Sequence, residues 1–346
     1  LLLTFCLVIL NKYLEDKKFL ISDTGDKHQK FASKINTPLT GGILIFLSFL
    51  YLFDQLDKYF ILFSSIIFLL GIFSDMKFLK SAKLRLVLQI MFIISFVYLT
   101  EMRINDTRVF LLDQLLSNSF FNSIFVLFCI LIVVNGSNFF DGLNTLCIGY
   151  YLIISLIVFY LNFNGVISTD NTLILNLISV LLVCFMLNSF NKIFLGDSGS
   201  YFLGFIFAVL LIELYNLNRH ISPFFIILML WYPSFELLFS MIRKKALSRS
   251  PLEPDSNHLH QLLLHFLRKK NAFKIYKWYL EHKDDSFGRF KMNKSSEEVY
   301  NKIQQDGVAF YQLDPEAIKK LQDLLLPTVE QLLKKEDWTP PIGSYD

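Results

Sequence analysis

Charge is what this chain has least of. Only 18% of its 346 residues are Asp, Glu, Lys or Arg, while 53% are apolar and 37 are Phe. With a mean hydropathy of +0.46, the balance excludes the two or three soluble domains that length alone would allow. Cysteine is scarce too: Cys6, Cys129, Cys147 and Cys184 lie in or beside apolar runs. No pair has metal-site spacing, so they read as small buried hydrophobes and not as zinc ligands. Internal repeats of the kind a secondary transporter carries are missing. The net charge of +3 gives no sign of a nucleic-acid partner, and the basic residues point instead to anionic lipid headgroups and phosphate compounds.

What is there is a series of long uncharged stretches, among them 86–100, 114–140, 142–169 and 171–191. A bilayer core needs about 17–25 residues of apolar helix. The pattern predicts an all-α polytopic membrane protein, a bundle of about nine spans: 1–11 (truncated), 38–53, 59–73, 86–100, 120–134, 146–161, 172–190, 200–216 and 221–242. With these spans, the loops on one side hold 18 Lys and Arg residues and those on the other hold 4, which places the richer side in the cytoplasm. Residue 1 is Leu, and the chain is expected to begin inside its first helix. Residues 1–270 read as one membrane domain. Residues 271–346 are polar and include an amphipathic stretch from Asp314 onward, expected to be a partly helical tail, native or appended.

The polar residues worth attention all fall on the expected cytoplasmic side. Asp23, Asp26, His28 and Lys30 precede TPLTGG; Asp75 follows the third span; Asn135, Asn138, Asp141 and Asn144 stand in VNGSNFFDGLN; Asp197 stands in GDSGS; His258 and His260 stand in PDSNHLHQL. Each has an ordinary structural alternative. Asp197 could cap a helix of small packing residues, Asp141-Gly142 could be a turn, Asp75 could be a cap, and the two histidines could be an unremarkable loop pair. Gly41 and Gly42 either leave amides free for an anion or pack helices. Glu236 either snorkels, bonds a neighbouring helix or meets substrate, and Asn188 is a further binding candidate. Taken together, acids, amides and imidazoles from five loops on one face suggest a single polar site at headgroup level. Carboxylates without cysteines or a tight histidine cluster suit Mg²⁺ better than Zn²⁺, with Asp197 the first choice as ligand. Such a site could join a soluble activated phosphate compound to a lipid phosphate.

These segments resemble the polyprenyl-phosphate N-acetylhexosamine-1-phosphate transferases. The likeness runs from about residue 20 to 265 through DKHQK with TPLTGG, GIFSD with Gln89, VNGSNFFDGLN, KIFLGDSGSYFLG and SPLEPDSNHLHQLL, in the family's order. It implies transfer of a sugar 1-phosphate from a UDP-N-acetylhexosamine to undecaprenyl phosphate in the bacterial inner membrane, with the site facing the cytoplasm. By that likeness Asp197 binds Mg²⁺, for which Mn²⁺ can substitute. Asp75, Asp141, Asp197, His258 and His260 are then the catalytic set, and Lys30, Gly41, Gly42, Asn135, Asn138, Asn144, Asn188 and Glu236 the substrate-binding set. Membrane lipids are further partners, and a homodimer is compatible with the family. Ser74-Asp75 stands where many relatives have two aspartates, and Asn144 replaces a later Asp. Both departures favour the branch that initiates O-antigen and other surface polysaccharides over the alternative, the phospho-N-acetylmuramoyl-pentapeptide transferase of peptidoglycan synthesis. A transporter or a non-catalytic scaffold is the remote alternative. Relatives continue into a further span after the histidine loop, so the chain is read as a fragment or fusion, and Ser74 is expected to matter little.

Overall fold

In the computed structural model the residues described are 37–51, 56–246, 250 and 258–263, with 9, 12, 13, 20 and 267. The expected span 1–11, apart from residue 9, the loop around Lys30 and the tail 271–346 lie outside them. Contacts divide the chain into two units, Leu1–Gln261 and Leu262–Asp346, and the elements below belong to the first. All are helices: α1 (Gly41–Leu50), α2 (Lys58–Asp75), α3 (Ala82–Thr100), α4 (Phe110–Leu116), α5 (Ser119–Phe140), α6 (Leu146–Phe163), α7 (Asn171–Ser189), α8 (Gly196–Leu217), α9 (Pro223–Met229) and α10 (Trp231–Ala246).

Six of these, α2, α3, α5, α6, α7 and α8, are long and apolar enough to cross a membrane, and the count becomes seven if α9 and α10 form one bent span. The expected nine are therefore too many. The run 38–53 yields a helix of only 10 residues, about 15 Å at 1.5 Å per residue and half the roughly 30 Å hydrocarbon core. The segment before it is tied elsewhere: Phe194 donates its backbone N–H to the Pro38 carbonyl at 2.8 Å, and Gly41 and Gly42 donate to the carbonyls of Phe194 and Leu195.

The run 221–242 breaks by 71° at Leu230. Pro233 causes the break: it has no N–H for the carbonyl four residues back, and its ring would clash there in a continuous helix. That carbonyl belongs to Met229, and the Tyr150 hydroxyl donates to it at 2.6 Å instead. After the break α10 passes very close to α5, where a Cβ on Gly136 would stand 2.1 Å from the Pro233 carbonyl oxygen.

Helix α8 is the axis of the bundle. In its most apolar window 78% of residues are buried, against 22% for α3, so α8 is enclosed by protein while α3 faces lipid. Between apolar helices in lipid, association rests on close packing and polar contacts. Accordingly α8 meets α1, α2 and α5 through small residues: a Cβ on Gly71 would stand 2.3 Å from the Ser198 Cα, and one on Gly204 2.7 Å from the Val134 Cα. Phenylalanines fill the space beyond, with Phe202 edge-on to Phe46, Phe49 and Phe68. Side-chain caps start several helices, including Asp57 for α2, Asn118 for α5 and Asp170 for α7.

Candidate active site

Leu195, the residue before α8, offers no side-chain cap to its first turn. The free N–H groups of Asp197 and Ser198 instead donate to the two Asp75 carboxylate oxygens, at 2.8 and 3.0 Å. Asp75 is thus the last residue of α2 and the cap of α8 at once. The approach requires glycine at 196, where φ is +74° and a Cβ would stand 2.8 Å from Asp75 Oδ2.

Asp197 follows in the same turn. Its Oδ1 accepts from the Asn138 amide at 2.6 Å, and its Oδ2 accepts from the Ser74 hydroxyl at 2.5 Å and from the Arg85 guanidinium at 2.9 Å. Arg85 also donates to Ser74 Oγ. Both members of the Arg85–Asp197 pair are about three-quarters buried. Asp141, directly after α5, completes the ring through a hydrogen bond with the Gly196 backbone. Burial pushes its carboxyl well above the ordinary range, and the nearby charges of Asp197 and Asp75 push it further. Three carboxyl groups therefore crowd one guanidinium, and ionising all of them would leave a surplus of negative charge for a cation to balance.

A second cluster adjoins this ring. His258 and His260 are buried, and their rings lie parallel with centroids 5.8 Å apart. His258 Nδ1 lies 3.1 Å from Glu236 Oε2, and the Leu259 N–H donates to Glu236 Oε1 at 2.8 Å. His260 leans over the residue after Asp141: a Cβ on Gly142 would stand 3.0 Å from His260 Nε2. Among the described residues neither ring nitrogen of His260 has a hydrogen-bond partner, and its Nδ1 lies 3.7 Å from Glu236 Oε1.

Comparison with known proteins bears on this arrangement. The family described as Glycosyl transferase family 4 matches residues 58–215, which span every element of the aspartate ring. Over that stretch, a little under half of its length, the chain resembles glycosyl transferase family 4. It is similar to the undecaprenyl-phosphate alpha-N-acetylglucosaminyl 1-phosphate transferase of Thermotoga maritima, 26% identical over 276 residues that cover 78% of this chain and 80% of the relative. It is also similar to the probable undecaprenyl-phosphate N-acetylglucosaminyl 1-phosphate transferase of Bacillus subtilis, 30% identical over 58% of this chain and 56% of the relative. A third relative is the alpha-N-acetylglucosaminyl 1-phosphate transferase of Salmonella typhi, 26% identical over 66% of this chain and 65% of the relative. The chain thus spans most of the first of these and between half and two-thirds of the other two. The match to this family and the helices long enough to cross a bilayer support a multi-pass bacterial membrane transferase.

The remaining expected residues are placed as follows. Asn135 donates to Gln89 Oε1 at 2.9 Å, next to the ring but not in it. Asn144 donates to Asn191. Asn188 is buried and pins two loops, accepting from the Thr145 N–H and donating to the Ile193 carbonyl at 2.7 Å. Gly41 and Gly42 give their amides to the 194–195 carbonyls. Lys30 is outside the described residues. Arg85 and the bridging role of Ser74 were missed by sequence reasoning. One signal for Arg85 was available: a cation in the first turn of a helix opposes the helix dipole, so it needs a carboxylate across the way.

Among the described residues, no three His, Cys, Asp or Glu side chains converge as a ready metal cage. Asp197 and its neighbouring carboxylates are a donor set that would suit Mg²⁺, which takes one or two carboxylates and completes its shell with water and substrate phosphate oxygens. The surplus negative charge that full ionisation of the ring would leave also fits a cation.

Proposed function

We propose that this chain transfers N-acetylhexosamine 1-phosphate from a UDP-N-acetylhexosamine to undecaprenyl phosphate. The products are a lipid-diphosphate-sugar and UMP, and the reaction begins synthesis of an O-antigen or another cell-envelope polysaccharide. The observation that carries the reading is the ring of Asp75, Asp141 and Asp197 around the start of α8, with Asn138, Arg85 and the histidine pair beside it. The relatives named above act on undecaprenyl phosphate and N-acetylglucosaminyl 1-phosphate, and GlcNAc is the hexosamine we favour. Among the described residues, the helix ends and loops on the side of the aspartate ring hold Lys77, Lys80, Lys83, Arg85, Lys192, Arg243, Lys244 and Lys245 against Lys58, Arg103, Arg108 and Arg219 on the other, which supports a site facing the cytoplasm, where the nucleotide sugar is.

The acceptor needs little activation, because a phosphate monoester with a second pKa of about 6 is mostly a dianion at neutral pH. Its oxygen attacks the sugar-linked phosphorus in line; the new P–O bond forms as the bond to the UMP oxygen breaks. Asp197 is the residue that would hold Mg²⁺, with Asn138 orienting the carboxylate. The ion, when bound, supplies charge neutralisation on the diphosphate oxygens. Arg85 holds Asp197 and Ser74 in register between α2, α3 and α8. Asp75 fixes the backbone of that turn by capping it. His258 and His260 stabilise the charge that builds on departing UMP.

The test is a membrane assay with undecaprenyl phosphate and labelled UDP-GlcNAc, UDP-GalNAc or UDP-muramoyl-pentapeptide. Mg²⁺-dependent formation of a labelled lipid with UMP release from a UDP-N-acetylhexosamine is the expected result. Turnover of the muramoyl-pentapeptide nucleotide alone, or of none of the three, overturns the reading.

A further inference from the structure

Glu236 is a carboxylate in the middle of an apolar helix, and the reaction scheme above gives it no part. It is 2% exposed, and Ser240 and Lys244 on the same face are also buried. Together with Tyr232 these residues follow at intervals of four, so one stripe of α10 is polar and turned inward. Phe235, Leu238, Phe239 and Ile242 on the other sides are exposed, as a lipid-facing surface is. An anion held inside such a helix needs donors for both oxygens. Glu236 has them, and apart from Tyr232, whose hydroxyl donates to Oε1 at 3.3 Å, they come from residues 258–260. Oε1 takes the Leu259 N–H, Oε2 faces His258 Nδ1 at 3.1 Å, and His260 Nδ1 is 3.7 Å from Oε1.

The contacts have a direction. The Leu259 N–H belongs to the start of a helical turn, and at its third position the Gln261 side chain reaches back to the His258 N–H at 3.4 Å, in the manner of a capping box. Glu236 supplies the remaining cap from across the chain. Donation from Nδ1 also fixes the His258 tautomer, so that Nε2 is the nitrogen left for other partners. His258 is pressed on its other side by the Phe139 ring, 5.2 Å between centroids, two residues before Asp141.

We propose that Glu236 is a positioning residue: its carboxylate anchors the histidine turn to α10 and so sets His258 and His260 over the Asp141-Gly142 turn, without itself touching substrate. This rests on the transferase reading, and the experiment separates the two. Kinetics in membranes compare the parent with Glu236→Gln, Glu236→Asp and the same Gln change in a His258→Ala/His260→Ala background. In parallel, Gln261→Cys, at a site 5% exposed, is placed in a chain whose four native cysteines are alanine, and its labelling by an impermeant maleimide is timed with and without Glu236→Gln.

The expected result is a fall in kcat of about tenfold or more for Glu236→Gln, KM for the nucleotide sugar within about twofold, and partial recovery in Glu236→Asp. In the double-histidine background the Gln change costs almost nothing further, because the groups it positions are gone. Labelling at 261 quickens by at least about fivefold. An additive cost in the histidine background, a change confined to KM, or unchanged labelling each overturns the proposal. If the parent turns over no nucleotide sugar, the transferase reading fails, and the labelling alone decides the anchoring.

Discussion

Gly71→Ala, which adds no charge and removes none, is expected to be among the most damaging single-methyl additions to this protein. The added Cβ would stand 2.3 Å from the Ser198 Cα, 2.6 Å from its N and 2.7 Å from the Asp197 carbonyl oxygen. Carbon atoms rest at about 3.5–4.0 Å, so α2 and α8 must part by more than 1 Å. All three obstacles are backbone, and no rotamer change relieves them. Asp75 lies one turn further along α2 and caps α8 at 2.8 and 3.0 Å. Opened by that amount, these bonds pass the roughly 3.2 Å limit of a good N–H···O contact, and Ser74 loses Asp197 with them. Overpacking of this kind costs about 1–3 kcal/mol of stability, and a misplacement of 1 Å at reacting groups costs about 10²-fold in rate. Initial rates of lipid-linked sugar formation, normalised to folded protein in the membrane, should therefore fall on the order of 10²-fold. Gly149→Ala is the control, because there the Cβ meets only the Phe185 ring, at 3.0 Å, and a ring can turn aside. If Gly71→Ala stays within about threefold of the parent, the picture of a ring held by the α2–α8 contact is wrong.

Arg85→Ala removes a charge-assisted bond to Asp197 and should lower kcat by about 10- to 100-fold, the rate equivalent of roughly 1.5–3 kcal/mol. Arg85→Lys should restore part of the loss, since a single nitrogen, Nη1, makes both the Ser74 and the Asp197 contacts and an ammonium can donate twice from one atom. Ser74→Ala leaves Arg85 and Asn138 on Asp197, and a smaller loss, about three- to tenfold, is expected in the same assay. Asp141 has a raised carboxyl, so its ionisation opposes folding: the penalty is absent at pH values below the ordinary Asp range and grows as pH rises towards the folded-state value. Asp141→Asn should therefore raise the thermal midpoint of substrate-free protein in detergent at pH 7, with the gain vanishing near pH 4. An equal midpoint at both pH values contradicts the assignment of that burial.

The aspartates and histidines were legible because ionisable residues are rare in this chain and those in apolar surroundings stand out. Their neighbours in space were not. Arg85 reads as one more basic residue in a loop that also holds Lys77, Lys80 and Lys83, and only the packing of α3 against α2 shows that it reaches Asp197. Ser74 looked dispensable while it was compared with the aspartate that relatives carry there; its hydroxyl in fact bridges Arg85 and Asp197. Glu236 could be flagged as a charge in a span, but its partners lie 22 and 23 residues along the chain. The number of spans was overcounted for a related reason. Hydropathy registers the apolar run at 38–53 and the one at 221–242, but it does not register that the first folds as a short helix bound to 194–195, or that Pro233 and Tyr150 bend the second at Leu230.

The central claim is that Asp197, set at the start of α8 and held by Asn138, Ser74 and Arg85, is where the diphosphate reacts. The most direct measurement is sugar-phosphate transfer by membranes holding Asp197→Asn, a change that keeps size while removing the charge and one of the two accepting oxygens. Loss of Mg²⁺-dependent transfer to undecaprenyl phosphate by at least about 10³-fold, with membrane insertion intact, is the result this account predicts. Transfer within about tenfold of the parent, with the same dependence on Mg²⁺, would contradict it.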